Sequence, residues 1–228
     1  EVVAAQPSSS GYIQAVKSSV FRFAPGLSLS NYEVTAPNQI GLFIDGSSAS
    51  GIAMQLPDSD AVYIKHLPFA LPFIIKKTPS VLILGAGGGN PVLFARHLGA
   101  SRVTAVEPDL PLIKMIRSRF ADAWNGVWDN SSVRTVNADG RAFCSADKNR
   151  YDIITIPAML SSGISFSSGS GHGENYLFTR EAFADYMDRL SEGGVLNISM
   201  TMESPPRALL KLEALAFSYL KERYPDDF

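Results

Sequence analysis

The sequence predicts an α/β protein, with a small antiparallel β unit followed by a larger region built on a parallel-dominated sheet. Three observations predict it. Short alternating segments separated by turn residues fill the chain from Gly11 to Leu56. From Ser80 onward, apolar strands alternate with helical patterns, which implies a parallel sheet with right-handed crossovers. A glycine-rich turn, Gly85-Ala86-Gly87-Gly88-Gly89, follows the first of those strands directly.

Taken in order, residues 1–10 are small and polar toward their end and read as a frayed lead-in. Tyr12, Gln14 and Val16 alternate against Ile13 and Ala15, and Ile40 to Ile44 is a strand closed by Asp45-Gly46. Residues 1–58 form the β unit, and 59–228 the larger region. A helix is expected over 59–75, interrupted by Pro68 and Pro72. Val81 to Leu84 is continuously apolar, as a strand covered on both faces should be. Helices are expected over 91–98, 110–124, 180–190 and 206–219, and strands over 102–106, 133–137, 151–156 and 195–200. Leu112, Ile113, Ile116 and Phe120 give the second of these helices one apolar stripe, while Gly193-Gly194 should end the third. Leu209, Leu210, Leu212, Leu215 and Phe217 form the apolar side of the last helix. The Gly/Ser-rich stretch from Ser161 to Gly173 is either a mobile loop over a site or a plain connector.

Composition narrows the function. The 228 residues are 46% hydrophobic and 18% charged, which excludes collagen-like and disordered classes. Net charge is −2, so no broad basic field exists to hold a nucleic acid backbone. The single cysteine, Cys144, precludes an intramolecular disulfide, fits a cytoplasmic location, and in its apolar context reads as an inert thiol. His66, His97 and His172 are scattered and form no zinc pattern, so no metal is expected. No apolar run reaches the roughly 18–20 residues of a membrane span. The chain begins at Glu1 and not at Met, so it reads as a processed or excised piece.

The chemistry concentrates at three strand ends. Glycines in the 85–89 turn allow the backbone to turn sharply and approach a ligand. Asn90 can cap the following helix, and Pro91 suits its first position. Glu107 ends the second strand of this region, twenty residues after Gly87. A carboxylate there can accept both hydroxyls of a ribose; alternatively it caps the helix after it. Asp139-Gly140, just after the third strand, can accept from an adenine amino group or serve as a turn. The dinucleotide fingerprint would need a third glycine where Asn90 stands. Gly85 to Gly89, Glu107 and Asp139 together favour an adenosyl sulfonium over a dinucleotide.

These residues resemble a family. V-L-I-L-G-A-G-G-G (81–89), V-T-A-V-E-P-D (103–109), N-A-D-G-R-A-F (137–143), Y-D-I-I-T (151–155) and E-N-Y-L-F-T-R-E-A-F (174–183) look like the spermidine synthase, or aminopropyltransferase, family. L-F-I-D-G (42–46) is similar to the end of that family's β-hairpin unit, and the resemblance covers about residues 11 to 225. R-F-A-P-G-L-S-L (22–29) and S-P-P-R-A-L-L-K-L (204–212) resemble a divergent branch often fused to membrane-spanning segments. The resemblance implies a Rossmann-like, methyltransferase-type core, here expected to lack its final strand hairpin. It implies S-adenosylmethionine or its decarboxylated form as donor, a polyamine as acceptor and transferase activity in polyamine biosynthesis. It also brings a homodimer, and the cytosolic part of a membrane protein, into view as partners. Cofactor-side residues would be Gly85, Ala86, Gly87, Gly88, Gly89, Glu107, Pro108, Asp139 and Gly140.

The departures from that pattern cluster on the amine side. The family's glycine loop carries an Asp where Gly88 stands, and its catalytic carboxylates come after the fourth strand, where this chain reads Ile156-Pro157-Ala158-Met159-Leu160. The glutamine after D-G is replaced within Ser47 to Ala49. A cationic polyamine must lose a proton before it attacks. Candidate replacements for the missing acids are Glu174, His172 and Tyr176, with Tyr63, His66 and Asp45 behind them. Each also has a bland reading, as a loop acid, a loop histidine or a packing residue. Three functions therefore stand: aminopropyl transfer, methyl transfer from intact S-adenosylmethionine, and a non-catalytic nucleoside-binding or assembly domain.

Overall fold

A computed structural model describes residues 1–28, 30, 34–157, 176–200 and 204–227. Strands β1 (Val2–Ser8), β2 (Gly11–Lys17), β3 (Ile40–Ile44) and β4 (Ser47–Ile52) form an antiparallel sheet in that order. The lead-in expected over residues 1–10 is thus a strand. It is held by main-chain pairing with β2, by Ser8 Oγ donating to Gly11 O at 2.8 Å and by Gln6 Nε2 donating to Pro111 O at 2.6 Å, and Ala4 packs against a hydrophobic core. The hydrogen bonds do not depend on the apolar content that a sequence pattern reports.

Two 3₁₀ turns, Asp60–His66 and Pro68–Ala70, lead into the short α1 (Leu71–Ile75). The helix expected over 59–75 breaks at Leu67, which is extended at φ −89 and ψ 149. The ring of Pro68 clashes with a helical conformation of the residue before it.

The second sheet contains β5 (Ser80–Leu84), β6 (Arg102–Glu107), β7 (Val133–Asn137), β8 (Tyr151–Ile156) and β9 (Leu190–Ile198). Its order is β7-β6-β5-β8-β9, and every neighbouring pair is parallel. Helices α2 (Asn90–His97), α3 (Leu110–Arg119), α4 (Gly140–Ala146), α5 (Arg180–Arg189) and α6 (Arg207–Arg223) complete the α/β pattern. Val81, Ile83, Val103, Ala105 and Ile153 face one core, shared with Val92 and Phe94 of α2 and with Ile13, Leu42 and Ile52 of the antiparallel sheet. Leu82, Leu84, Val106, Ile154 and Ile156 face a second core with Phe143 and Tyr186. Burial on both faces is why these strands read as unbroken apolar runs.

Three helical expectations are corrected. Helix α3 keeps its apolar stripe but ends at Arg119, because Phe120 leaves helical geometry at φ −133 and a 3₁₀ turn comes next over Ala123–Asp129. Helix α5 ends at Arg189, and β9 starts at once, so Gly193-Gly194 lie inside a bulged strand. Ser191 Oγ donates to Tyr151 O and Asp152 Oδ1, drawing the chain into the sheet early. In α6 the buried residues are Ala208, Leu212 and Tyr219, while Leu210 and Phe217 are more than half exposed. Its inner face is set by contact with Phe183 of α5. Among the described residues no helix is long and apolar enough to cross a membrane.

Candidate functional site

The carboxyl ends of β5, β6, β7 and β8 lie along one edge of the parallel sheet. The strand order reverses between β5 and β8, and open α/β sheets bind ligands at such a switch point. The glycine loop emerges from β5 there. Gly85 and Ala86 donate to Val106 O at 2.9 and 3.1 Å, which fastens the loop to β6. Gly87 and Gly89 adopt φ 52 and 105, left-handed values that side chains resist.

The helix cap differs from expectation. Gly89 is the N-cap residue of α2, and Asn90 is already helical. Its amide is 3% exposed, and neither its oxygen nor its nitrogen finds a partner. Ala86 is fully buried beneath the loop.

Glu107 ends β6, and its carboxylate is 6% exposed. Gly87 N–H donates to Oε2 at 2.8 Å, and Asp109 N–H donates to Oε1 at 3.0 Å. One side chain therefore joins the glycine loop to the start of α3. The cap of α3 itself is Asp109, which accepts from Leu112 N–H at 3.0 Å. Each Glu107 oxygen retains a lone pair, so the carboxylate can still accept from two hydroxyls. Asn137, across from Glu107 in the β6–β7 register, donates to Glu107 O and Pro108 O at 2.9 and 2.8 Å. It clips the exposed Pro108 turn in place. Sequence reasoning passes over Asn137; its place two residues before Asp139, at the end of the same strand, is the available signal.

Asp139 is the exposed N-cap of α4 and accepts from Ala142 N–H at 2.9 Å. Its second oxygen provides a further acceptor at the strand edge. Gly140 behind it is buried, and a β-carbon there would stand 2.9 Å from Leu177 Cδ2.

The catalytic candidates separate. Asp45 accepts from Tyr12 N–H at 2.8 Å and lies against Gly11. Tyr63 is fully buried with its ring edge-on to Phe94, and burial raises its phenol far above the usual range. His66 is exposed on the 3₁₀ turn. Tyr176 begins a 3₁₀ turn over Tyr176–Phe178, whereas His172, Glu174 and the 161–173 stretch lie outside the described residues. Cys144 is buried, and burial first, then nearby Asp185 and Asp147, push its thiol up to about 12. Among the described residues no group of three or more His, Cys, Asp or Glu could hold a metal ion.

Glu107 carries the most consequential titration. Burial raises its carboxyl above the ordinary range, the Gly87 and Asp109 N–H groups pull it down, and the Asp109 charge pushes it up again. An acid raised in the folded state binds its proton more tightly folded than unfolded. Its contribution to stability is therefore intact at low pH and is lost as pH climbs through the raised value. Glu107→Gln should remove that loss. Urea midpoints measured at about pH 5 and about pH 7 should fall with pH more steeply for the wild type than for the variant. Parallel pH dependences would show that the ionised carboxylate is not penalised.

Known proteins bear on this geometry. The family model described as spermine/spermidine synthase domain matches residues 61–207, well over half of the chain. The polyamine aminopropyltransferase of Alkaliphilus metalliredigens is 30% identical over 180 residues, covering 77% of this chain and 58% of that protein. Polyamine aminopropyltransferase 2 of Pseudomonas aeruginosa is 26% identical over 186 residues, covering 78% and 49%. Spermidine synthase from Thermotoga maritima superposes with a TM-score of 0.60 at 20% identity, covering 98% of this chain and 64% of that one. A spermidine synthase in complex with the transition-state analogue AdoDATO superposes with a TM-score of 0.59 at 19% identity. The chain spans between about half and under two thirds of the length of these relatives.

Proposed function

The chain belongs to the spermine/spermidine synthase family, and from that premise we propose that its crevice holds the adenosyl part of a sulfonium donor used in aminopropyl transfer. The observation that supports this most directly is Glu107, a buried carboxylate stiffened by Gly87 and Asp109 N–H groups at the end of β6. In this reading Glu107 accepts from the two ribose hydroxyls. Asp139 accepts from the adenine amino group, with the neighbouring Gly140 backbone completing the base edge. Gly85 to Gly89 lie along the sulfur side, and Pro108 borders the ribose. The donor is decarboxylated S-adenosylmethionine and the acceptor a polyamine. A base takes a proton from the acceptor ammonium, and the freed nitrogen lone pair attacks the aminopropyl carbon next to sulfur. The carbon–sulfur bond breaks as the carbon–nitrogen bond forms, its electron pair neutralises the sulfonium, and the new amine is left as an ammonium.

A second reading, nucleoside binding without transfer, is favoured by the residues at the carboxyl end of β8. Ile156 and Pro157 stand where the reaction needs a carboxylate to take that proton. Glu174, His172 and Tyr176 remain candidates for that role.

Titration calorimetry with decarboxylated S-adenosylmethionine, combined with product analysis with putrescine and spermidine, tests both readings. One-to-one binding and an amine-dependent release of methylthioadenosine are expected from a transferase. Binding with no release would move the conclusion to the second reading. Methyl transfer from intact S-adenosylmethionine would replace the donor assignment, and no adenosyl binding by a folded chain would overturn the site.

A further inference from the structure

We infer that the outward side of α1 and the lysines flanking it form a docking surface for an anionic lipid bilayer, on which the protein rests with its crevice turned to the water.

A surface helix ordinarily keeps its apolar side inward. Helix α1 has two apolar sides. Pro72 and Phe73 are buried, Phe73 within the core shared with the antiparallel sheet. Leu71, Ile74 and Ile75, spaced at i, i+3 and i+4, share the other side and are 62%, 67% and 70% exposed. Val62 is exposed too, on the 3₁₀ turn that leads toward α1. One exposed aliphatic residue is ordinary, but three on a single helical turn make a patch. Exposure this high means that the side chains stand clear of their neighbours, as a ridge and not as the floor of a groove. Acyl chains can close around such a ridge, whereas a folded protein would need a matching cavity for it.

Charge specifies the lipid. Lys76 and Lys77 follow the ridge at once, and Lys65 is exposed on the turn before it. No Asp or Glu occurs from Ala61 to Val106, in a chain whose net charge is −2. The ridge is therefore locally basic on an acidic protein. Lys76 Nζ would lie 3.5 Å from a β-carbon at Gly193, which places it at the edge where the parallel strands begin. Arg102, exposed at the start of β6 and in register with Ser80, adds a cation to that edge. Of the acids there, Asp152 accepts from Ser80 and Ser191, Asp147 accepts from Tyr151 O–H, and Glu192 is exposed. Lysine stems lie along an apolar surface while their ammonium groups stay among lipid headgroups. Each lysine so placed strengthens binding to an anionic surface by about fivefold. Strand β5 begins just beyond Lys77 and delivers the glycine loop at its far end, roughly 15 Å away. With the strand starts on the bilayer, the carboxyl ends and the crevice remain in water.

Co-sedimentation of the whole chain with vesicles of phosphatidylcholine and phosphatidylserine, set against vesicles of phosphatidylcholine alone, tests this. Binding to the mixed vesicles should be tighter by about tenfold or more and should weaken as salt is raised. Ile74→Ser/Ile75→Ser should reduce it by about tenfold or more, and so should Lys65→Glu/Lys77→Glu. These four side chains are exposed, so the variants should fold, which circular dichroism checks. Leu210→Ser should leave binding unchanged, because Leu210 is also more than half exposed but sits on α6, which packs through α5 onto the opposite face of the parallel sheet. Equal binding to both vesicle types, no binding by the folded chain, or the same loss from Leu210→Ser as from the isoleucine pair would overturn the inference. A dimer seen in sedimentation velocity without lipid, and dissociated by Ile74→Ser/Ile75→Ser, would overturn it too, since the ridge would then be an interface between copies of this chain.

Discussion

Glu107→Ala is expected to abolish measurable adenosyl binding in a chain that stays folded. Two charge-assisted hydrogen bonds to ribose hydroxyls contribute about 1.5–3 kcal/mol each, so their joint loss corresponds to about a hundredfold or more in affinity. The same substitution leaves the Gly87 and Asp109 N–H groups without the acceptor they now share. The glycine loop would lose its fastening to α3 on the side that faces the ligand. Contact and positioning therefore fail together. Glu107→Gln separates them in part, since one carbonyl oxygen remains to accept while the amide nitrogen turns a donor toward another donor. About a tenfold loss is expected for the glutamine, intermediate between wild type and alanine. Calorimetry with methylthioadenosine reads both variants, with circular dichroism as the check on folding. Affinity for Glu107→Ala within about threefold of wild type would remove Glu107 from the ribose site.

The features of this site that are legible in sequence are local. Strand, glycine turn and helix occupy consecutive residues from Ser80 to His97, and Glu107 and Asp139 each stand at the end of a strand whose apolar run marks it. Backbone geometry then decides where their side chains point, with little help from distant residues. The features that sequence does not show depend on contacts between remote segments. Leu42 lies over Gly88, where a β-carbon would stand 2.6 Å from its Cδ1, and no pattern near either position announces the contact. The strand at Val2–Ser8 is held by pairing with β2, by hydrogen bonds from Ser8 to Gly11 and from Gln6 to Pro111, and by Ala4 packing on the core, contacts with other segments that a reading of its composition does not register. The cap of α2 falls to Gly89 and not to Asn90 because the loop enters the helix through a left-handed residue, so the better capping side chain ends up buried. The apolar side of α6 differs from expectation for the same kind of reason. Leucine occurs all round that helix, and its buried face is chosen by α5. The amine-side substitutions at Gly88 and Ile156-Pro157 are visible as departures from a family pattern. What fills the space at Gly88 is visible only in three dimensions.

That distinction between apolar and buried yields the second large effect, a loss of stability in Leu84→Ala set against near-neutrality in Leu210→Ala. Leu84 is fully buried at the end of the central strand β5. Its Cβ and Cδ2 would lie 3.4 and 3.7 Å from a β-carbon at Gly140, so the leucine packs into the space that the glycine leaves at the start of α4. Removing it deletes buried methyl groups between two strand-end turns that are themselves hydrogen-bonded, which restricts collapse of the void. A loss of about 2–5 kcal/mol is expected. Leu210 is 57% exposed on the outer face of α6, and its truncation should change stability by no more than about 0.5 kcal/mol. Guanidinium unfolding at constant slope compares the two directly. Equal costs would mean that the Leu84 side chain is not where the packing places it. The consequence reaches the site as well. Gly140 comes directly after Asp139, the proposed adenine acceptor, and a void beneath it lets the start of α4 shift. Leu84→Ala should therefore weaken methylthioadenosine binding under conditions where the variant is still folded, and Leu210→Ala should leave binding unchanged.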